Sequence, residues 1–375
     1  MSINDFSGLW EGFTAVGHEP RILVMWVIAC GLLYIGIARK KEPLLLIPIA
    51  TGILFANLPL EEFTKEATDG SAGGFLYYFT EFTLNNELLP LLIFLGMGAA
   101  VDFEPVLAFP RMLLLGAAAQ FGVFFALIGA LLLGMTGAFE FGLLEASSIG
   151  IIGGADGPTT IFIATQMREF SRALVEPGPD IVGATAVAAY SYMALVPIIQ
   201  PPLIRLFTTS TERKIRMPYT PNPVSRRTKI IFPIATTLVI AVLVPKAAPL
   251  VGMMMFGNLL RESGVVDRLS NTAQNELMNI VIILLGLTVG ATMPGRVFLQ
   301  PETISIFVLG LIAFSGSTVT GVLLAKGMNL FTASKINPMI GAAGVSAVPM
   351  AARVVQDMAQ KEDPQNFLLM HAMGP

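Results

Sequence analysis

One carboxylate lies inside an apolar stretch of this sequence, among residues that interrupt helices. Asp156 follows Gly153 and Gly154 and comes directly before Gly157 and Pro158. A carboxylate at membrane depth costs on the order of 3 kcal/mol unless it is paired, hydrated or protonated, so its default interpretation is functional. The glycines let the backbone leave helical geometry, and the proline suits the first turn of a new half-helix.

The oxygen atoms of this stretch predict a site for a small cation. The Asp156 carboxylate, the freed carbonyls of Gly153 and Gly154, and the hydroxyls of Thr159 and Thr160 are the hard oxygen ligands that Na⁺ needs. The simpler alternative is that Asp156 only caps the half-helix that follows it. Capping does not exclude ion binding, because a carboxylate has several lone pairs.

A second interrupted stretch, residues 336–356, carries neutral oxygen ligands and a fixed cation. Ser346 and Arg353 are seven residues apart, so they fall on one helical face two turns apart. Arginine suits an anionic substrate group, because it grips a carboxylate with two parallel hydrogen bonds. Two alternatives stay open: Arg353 snorkels toward the cytoplasmic interface, and Asn337 caps the helix that begins at Pro338.

Two tyrosines, Tyr190 and Tyr192, lie near the middle of the apolar run 180–207. Tyrosines in such a run are either interfacial belt residues or internal hydrogen-bonding groups. Their central position favours the internal role.

The composition indicates that membrane helices position these residues. The chain is 54% hydrophobic and 13% charged, against about 25% charged residues in a soluble domain. Its apolar runs are continuous, which favours helices over a barrel. We predict an all-α integral membrane protein, a polytopic bundle of about 9–11 membrane segments with broken or re-entrant elements at 142–166 and 336–356. A net charge of -3 gives no sign of nucleic-acid binding.

Charge and internal similarity predict the organisation of the chain. The basic loop 208–229 belongs on the cytoplasmic side by the positive-inside rule. Residues 91–100 resemble residues 281–290, and in each half a Gly-containing span and a break follow. The expected parts are an N-terminal region 1–87 with an outer acidic loop, a first repeat 88–166, connecting helices 180–260, a second repeat 277–356 and a C-terminal segment 357–375.

The first half of the repeat is predicted to start on the outer side of the membrane and the second half on the inner side, which makes the repeat inverted. Inverted repeats with paired interruptions indicate an ion or substrate site near the midplane. The alternative is that glycine-rich membrane helices resemble one another by composition alone.

Four motifs together resemble the β subunits of the sodium-translocating biotin-dependent decarboxylases. They are GGADGPT at 153–159, AYSYM at 189–193, GAAGVSAVPMAARV at 341–354 and HAMGP at 371–375. The resemblance covers essentially the whole chain. It implies a multi-pass protein of the bacterial inner membrane that decarboxylates carboxybiotin, exports Na⁺ and consumes a proton. The family acts on oxaloacetate, glutaconyl-CoA or methylmalonyl-CoA, and the chain length looks most similar to the glutaconyl-CoA member.

The resemblance also implies roles for single residues. Asp156 and Tyr192 would serve the Na⁺ and proton pathway from one side of the repeat. From the other side Arg353 would hold the carboxylate of carboxybiotin, with Asn337 as a second contact. The residues of this second side that would serve the Na⁺ pathway are Asn337, Gly341, Ser346 and Arg353.

The resemblance implies partners as well. A biotin carrier subunit would present carboxybiotin, which is not attached to this chain, and a carboxyltransferase α subunit would supply the carboxyl group. A small membrane-anchor subunit and further copies of this chain are expected in the bilayer. Family members usually continue past the HAMGP motif with another apolar segment, and the sequence stops at Pro375, so that span is either missing here or not included.

The working mechanism is competition between Na⁺ and a proton at Asp156, with the displaced proton ending on biotin as CO₂ leaves. A secondary transporter that binds Na⁺ and a small carboxylate without chemistry is the competing class. A purely structural membrane anchor is a third possibility. A biotinylated partner that co-purifies with the chain would favour the pump.

Overall fold

The computed structural model describes residues 14–40, 43–59, 63–65, 67, 72–84, 88–154, 156–174, 178–217, 224–332, 335–346 and 348–375. Within these ranges every regular element is a helix, and no strand occurs. The prediction of an all-α membrane protein is confirmed. The count of membrane segments and the division into repeats stay predictions.

The longer helices define the frame, and the short helices and turns between them are named by their ranges. In chain order they are α1 (Arg21–Ile37), α2 (Pro43–Ala56), α3 (Phe75–Leu84), α4 (Leu88–Ala100), α5 (Leu113–Ala119), α6 (Phe121–Met135), α7 (Leu143–Ile151), α8 (Gly157–Arg172), α9 (Val182–Phe207), α10 (Arg226–Leu243), α11 (Ala248–Ser263), α12 (Met278–Ala291), α13 (Pro301–Phe331) and α14 (Val348–Glu362).

Three stretches of the described chain have the length and hydropathy to cross a membrane: Pro110–Met135, Asp267–Ala291 and Pro301–Phe331. A fourth, α9, is bent by 62° between Val182–Met193 and Leu195–Phe207. Proline inside a helix removes a hydrogen bond to the carbonyl four residues earlier and kinks the helix there. Pro197 would bond to the Met193 carbonyl if it carried an N–H, so it explains the position of the bend.

Residues 1–93 and 275–305 form one compact unit. Its helices α2 and α12 approach so closely that a Cβ on Gly52 would lie 2.3 Å from the Leu287 carbonyl oxygen. The buried amide of Asn57 donates a hydrogen bond to the Met293 carbonyl at 2.8 Å, and its oxygen accepts one from the Gly295 N–H at 2.8 Å. Small residues and buried amides are the usual means of joining helices in lipid.

Residues 94–274 and 306–375 form the second unit, which contains both interrupted stretches. Helix α6 packs against α7, and α8 packs against both α7 and α9. The second interruption is a 3₁₀ segment, Pro338–Gly344, which packs against α5. Every residue of this segment is buried, which suits irregular backbone that must be shielded from lipid.

Two features of this unit differ from the expectation. The sequence has an apolar run at 112–137 that is long enough for one membrane helix, and the structure interrupts it at Gln120, between the end of α5 and the start of α6. Helix α14 is amphipathic, with exposed Arg353, Asp357 and Lys361 opposite a buried face that is rich in alanine and valine. A helix with one charged face meets water along that face. The stretch 336–356 is therefore a buried turn followed by an amphipathic helix.

Candidate functional site

Asp156 lies between the 3₁₀ turn Ile152–Gly154 and α8. Its backbone is extended, at φ -127° and ψ 105°, and it occupies the N-cap position that the simpler alternative predicted. The Thr159 hydroxyl donates a hydrogen bond to its carboxylate, and the Thr160 hydroxyl donates one to its carbonyl at 2.6 Å. A hydroxyl that donates its proton keeps its lone pairs for a cation, so this geometry suits Thr159 both as a support for Asp156 and as an ion ligand.

The carbonyls of the first break are held in place by two serines. The Ser317 hydroxyl of α13 donates to the Gly153 carbonyl at 2.8 Å. The Ser346 main-chain N–H donates to the Gly154 carbonyl at 2.9 Å. Each carbonyl oxygen keeps a second lone pair, and the role of Gly153 and Gly154 as Na⁺ ligands stays a prediction.

The two interrupted stretches meet at Gly154. A Cβ added to Gly154 would lie 3.6 Å from the Gln120 amide oxygen and 3.9 Å from the Ser346 hydroxyl oxygen. The Gln120 amide oxygen and the Ser346 hydroxyl oxygen therefore lie beside the turn that carries Asp156, and carboxylate, hydroxyl, amide and carbonyl oxygens are hard ligands of the kind that suits a small monovalent cation. The structure therefore brings Ser346 to the first break, as the paired repeats led us to expect.

Gly341 lies against α13. A Cβ on Gly341 would lie 2.0 Å from the Gly321 carbonyl oxygen, and a Cβ on Gly321 would lie 2.0 Å from the Gly341 carbonyl oxygen. The two main chains touch, so neither position has room for a side chain. Close packing accounts for glycine at 341, and its role toward Na⁺ stays a prediction.

Asn337 caps the Pro338–Gly344 segment, because its side-chain oxygen accepts a hydrogen bond from the Met339 N–H at 3.1 Å. Its side-chain nitrogen donates to the carbonyls of Arg213 and Ile215, both at 2.9 Å. Both amide hydrogens thus hold the loop after α9. The capping alternative is observed, and a ligand role would use the second lone pair of the amide oxygen.

The same loop is tied to the end of α14 by ion pairs. Arg213 lies 2.7 Å from Glu362, and Arg216 forms two hydrogen bonds with Asp363 at 2.6 and 3.0 Å. The hydrogen bond from Arg213 lowers the pKa of Glu362, and the hydrogen bond from Arg216 lowers the pKa of Asp363. The second interruption, the basic loop and α14 are thus connected at one end of this unit.

The two tyrosines of α9 have different environments. The Tyr192 hydroxyl donates a hydrogen bond to the Phe307 carbonyl, and its ring stacks on Phe314 with centroids 6.4 Å apart. The Tyr190 ring lies against Gly157, where an added Cβ would be 2.3 Å from two ring carbons. The role of Tyr192 in the Na⁺ pathway stays a prediction, and the residue next to the first break is Tyr190.

Arg353 is exposed on the polar face of α14. In the part of the chain that the structure describes, its guanidinium group has neither an ion pair nor a hydrogen bond. Its five N–H donors are therefore open to an external carboxylate.

Sequence reasoning missed two residues of this site, Gln120 and Ser317. Gln120 is the only strongly polar side chain in the run 112–135, which is a usable signal. Tyr190 is one of the two tyrosines that the sequence predicts to be internal, but the resemblance implies a role only for its neighbour Tyr192. Ser317 gives no signal, because a serine in a membrane helix is ordinary.

Comparison with known proteins gives a consistent result. The family model described as "Na+-transporting oxaloacetate decarboxylase beta subunit" matches residues 21–375. The methylmalonyl-CoA decarboxylase subunit beta of Propionigenium modestum is 51% identical, over 94% of this chain and 90% of the relative. The glutaconyl-CoA decarboxylase subunit beta of Acidaminococcus fermentans is 52% identical, over 94% and 88%. The oxaloacetate decarboxylase beta chain of Klebsiella pneumoniae is 47% identical, over 94% and 90%.

Proposed function

Because this chain belongs to the family of Na⁺-transporting oxaloacetate decarboxylase β subunits, we propose that it decarboxylates carboxybiotin and couples this reaction to Na⁺ export. The three relatives described above carry three different substrates in their names, yet their identities to this chain lie between 47% and 52%. Such even similarity suits a subunit that acts on the intermediate that all three enzymes share, which is carboxybiotin.

The observation that carries the proposal is the junction of the two interrupted stretches. The Ser346 N–H bonds to the Gly154 carbonyl, two residues before the Asp156 carboxylate. A lone carboxylate with neutral oxygens around it, at a break in a membrane segment, is the arrangement that Na⁺ transporters use. Its oxygen donors, namely those of Asp156, Thr159 and Ser346 with the carbonyls of Gly153 and Gly154, are the proposed Na⁺ ligands.

We assign the reaction to the residues as follows. Asp156 takes up Na⁺ from the cytoplasm and releases a proton. Arg353 binds the carboxylate of carboxybiotin through its open donors. The bond between the biotin nitrogen and the carboxyl carbon breaks, CO₂ leaves, and the nitrogen receives the proton. Asn337 supports this step by holding the loop after α9, and Tyr192 supports it by fixing α9 to α13.

The proposal implies partners and a location. A carrier subunit presents carboxybiotin, a carboxyltransferase α subunit forms it, and a small subunit anchors the complex beside further copies of this chain. The complex lies in the bacterial inner membrane. The exposed Arg353 and the basic loop would then face the cytoplasm, where the carrier is.

Reconstitution tests the proposal against the transporter alternative. Vesicles that contain this chain with its co-purifying subunits should release CO₂ from carboxybiotin only when Na⁺ is present, and should accumulate radioactive Na⁺ at the same time. Avidin, which sequesters biotin, should abolish both. Accumulation of Na⁺ together with a labelled carboxylate, insensitive to avidin, would establish the transporter instead.

A further inference from the structure

The hydroxyl of Tyr190 is buried and has no hydrogen-bond partner in the part of the chain that the structure describes. The side chain is only 3% exposed. Leaving a buried hydroxyl unpaired is unfavourable, and buried tyrosines usually find a partner. An unpaired buried hydroxyl beside a functional site therefore indicates a group that binds what the site binds.

The position of Tyr190 fits such a role. Its ring covers Gly157, the residue that follows Asp156, so a Cβ added there would have to displace the ring.

Tyr192 lies on a different face of α9 and cannot take the same role. Side chains two residues apart point to nearly opposite sides of a helix. Tyr192 uses its hydroxyl on the Phe307 carbonyl of α13, whereas Tyr190 lies against the start of α8.

We propose that the Tyr190 hydroxyl is a further ligand for the Na⁺ carried at Asp156. This inference rests on the function proposed above. The phenol oxygen coordinates Na⁺ while the Asp156 carboxylate is ionised, through lone pairs that no hydrogen bond occupies in the described chain. The rigid ring, held against Gly157, keeps this oxygen in place.

The test is Tyr190→Phe in the assembled complex, because this substitution removes one oxygen and keeps the ring. We expect the Na⁺ concentration for half-maximal decarboxylation to rise about tenfold, with the rate at saturating Na⁺ changed less than about twofold. The Na⁺-dependent increase in thermal unfolding temperature should shift to higher Na⁺ in parallel. Tyr34→Phe removes the same atom from an exposed tyrosine of α1 and should change neither quantity.

Gly157→Ala gives a second route to the same result, because the new methyl group must displace the Tyr190 ring. It should also raise the half-saturating Na⁺ concentration. Half-saturation and Na⁺-dependent thermal shift that stay at wild-type values in Tyr190→Phe would overturn the proposal. A wild-type complex without any Na⁺ stimulation would instead contradict the proposed function itself.

Discussion

The main-chain N–H of Ser346 donates a hydrogen bond to the Gly154 carbonyl at 2.9 Å. This bond joins two stretches that are almost 200 residues apart in the sequence. It places a hydroxyl from one interrupted stretch beside the carboxylate-bearing break of the other. Changes at either stretch should therefore affect one common site.

Gly321 should be as sensitive to substitution as Gly341, because their main chains touch. Gly321→Ala and Gly341→Ala should each lower the free energy of unfolding by about 1–3 kcal/mol through overpacking. Thermal unfolding of the purified complex measures this. Gly327→Ala, on the same helix α13, meets no atom within 4 Å and should be neutral or stabilising. Equal behaviour of the variants at 321 and 327 would refute the close contact.

Asn337 should protect the basic loop from protease. Asn337→Ala removes two hydrogen bonds of 2.9 Å to the carbonyls of Arg213 and Ile215. Trypsin should then cleave at the basic residues of this loop several times faster. Asn366→Ala removes longer bonds to the same carbonyls, of 3.2 and 3.3 Å, and should have a smaller effect. An unchanged cleavage rate in Asn337→Ala would mean that the residue does not hold the loop.

The ion pair between Arg213 of the basic loop and Glu362 should weaken in acid. Arg213 lowers the pKa of Glu362 in the folded protein, so the pair stabilises the loop fully above the ordinary glutamate pKa of about 4.3 and loses this contribution as the pH falls through the lowered value. Hydrogen exchange of the loop amides, corrected for intrinsic rates, should be faster in Glu362→Gln than in wild type at pH 6. The difference should shrink as the pH falls through the lowered pKa of Glu362 and vanish below it. A difference that persists in acid would exclude the ion pair as its cause.

Arg353 should contribute to binding of the carboxylate of carboxybiotin and not to the stability of the fold. Its guanidinium is exposed and has no partner in the described chain, so Arg353→Gln should leave the unfolding temperature unchanged. The loss of a charge-assisted hydrogen-bond pair of about 2–3 kcal/mol should lower decarboxylation of carboxybiotin by about 30- to 150-fold. Arg353→Lys should recover little, because lysine lacks the planar fork. Lys361→Gln, on the same exposed face, is the matched control, and an equal loss there would argue for a general charge effect.

The sequence predicted the first break well, because three glycines, a proline and one acid leave few alternatives in a membrane. The pairing of the two breaks followed from the internal repeat, and the hydrogen bond between Ser346 and Gly154 agrees with it. The amphipathic face of α14 was not predicted, although Arg353, Asp357 and Lys361 recur at helical spacing.

Other features depend on information that the sequence pattern does not contain. Gln120 interrupts a run without any proline or charge, so no local signal predicted two helices there. The choice between Tyr190 and Tyr192 depends on the rotation of α9, which tertiary packing sets. The contact of Gly321 with Gly341 likewise follows from helix placement and not from either residue's own neighbours.

The most direct measurement is Na⁺-driven decarboxylation in vesicles that carry Asp156→Asn in the assembled complex. Asparagine keeps the shape of the side chain and removes the negative charge for which Na⁺ and the proton compete. The account predicts that Na⁺ no longer stimulates CO₂ release and that radioactive Na⁺ no longer accumulates, while Asp357→Asn retains both. Normal Na⁺ dependence in Asp156→Asn would contradict it.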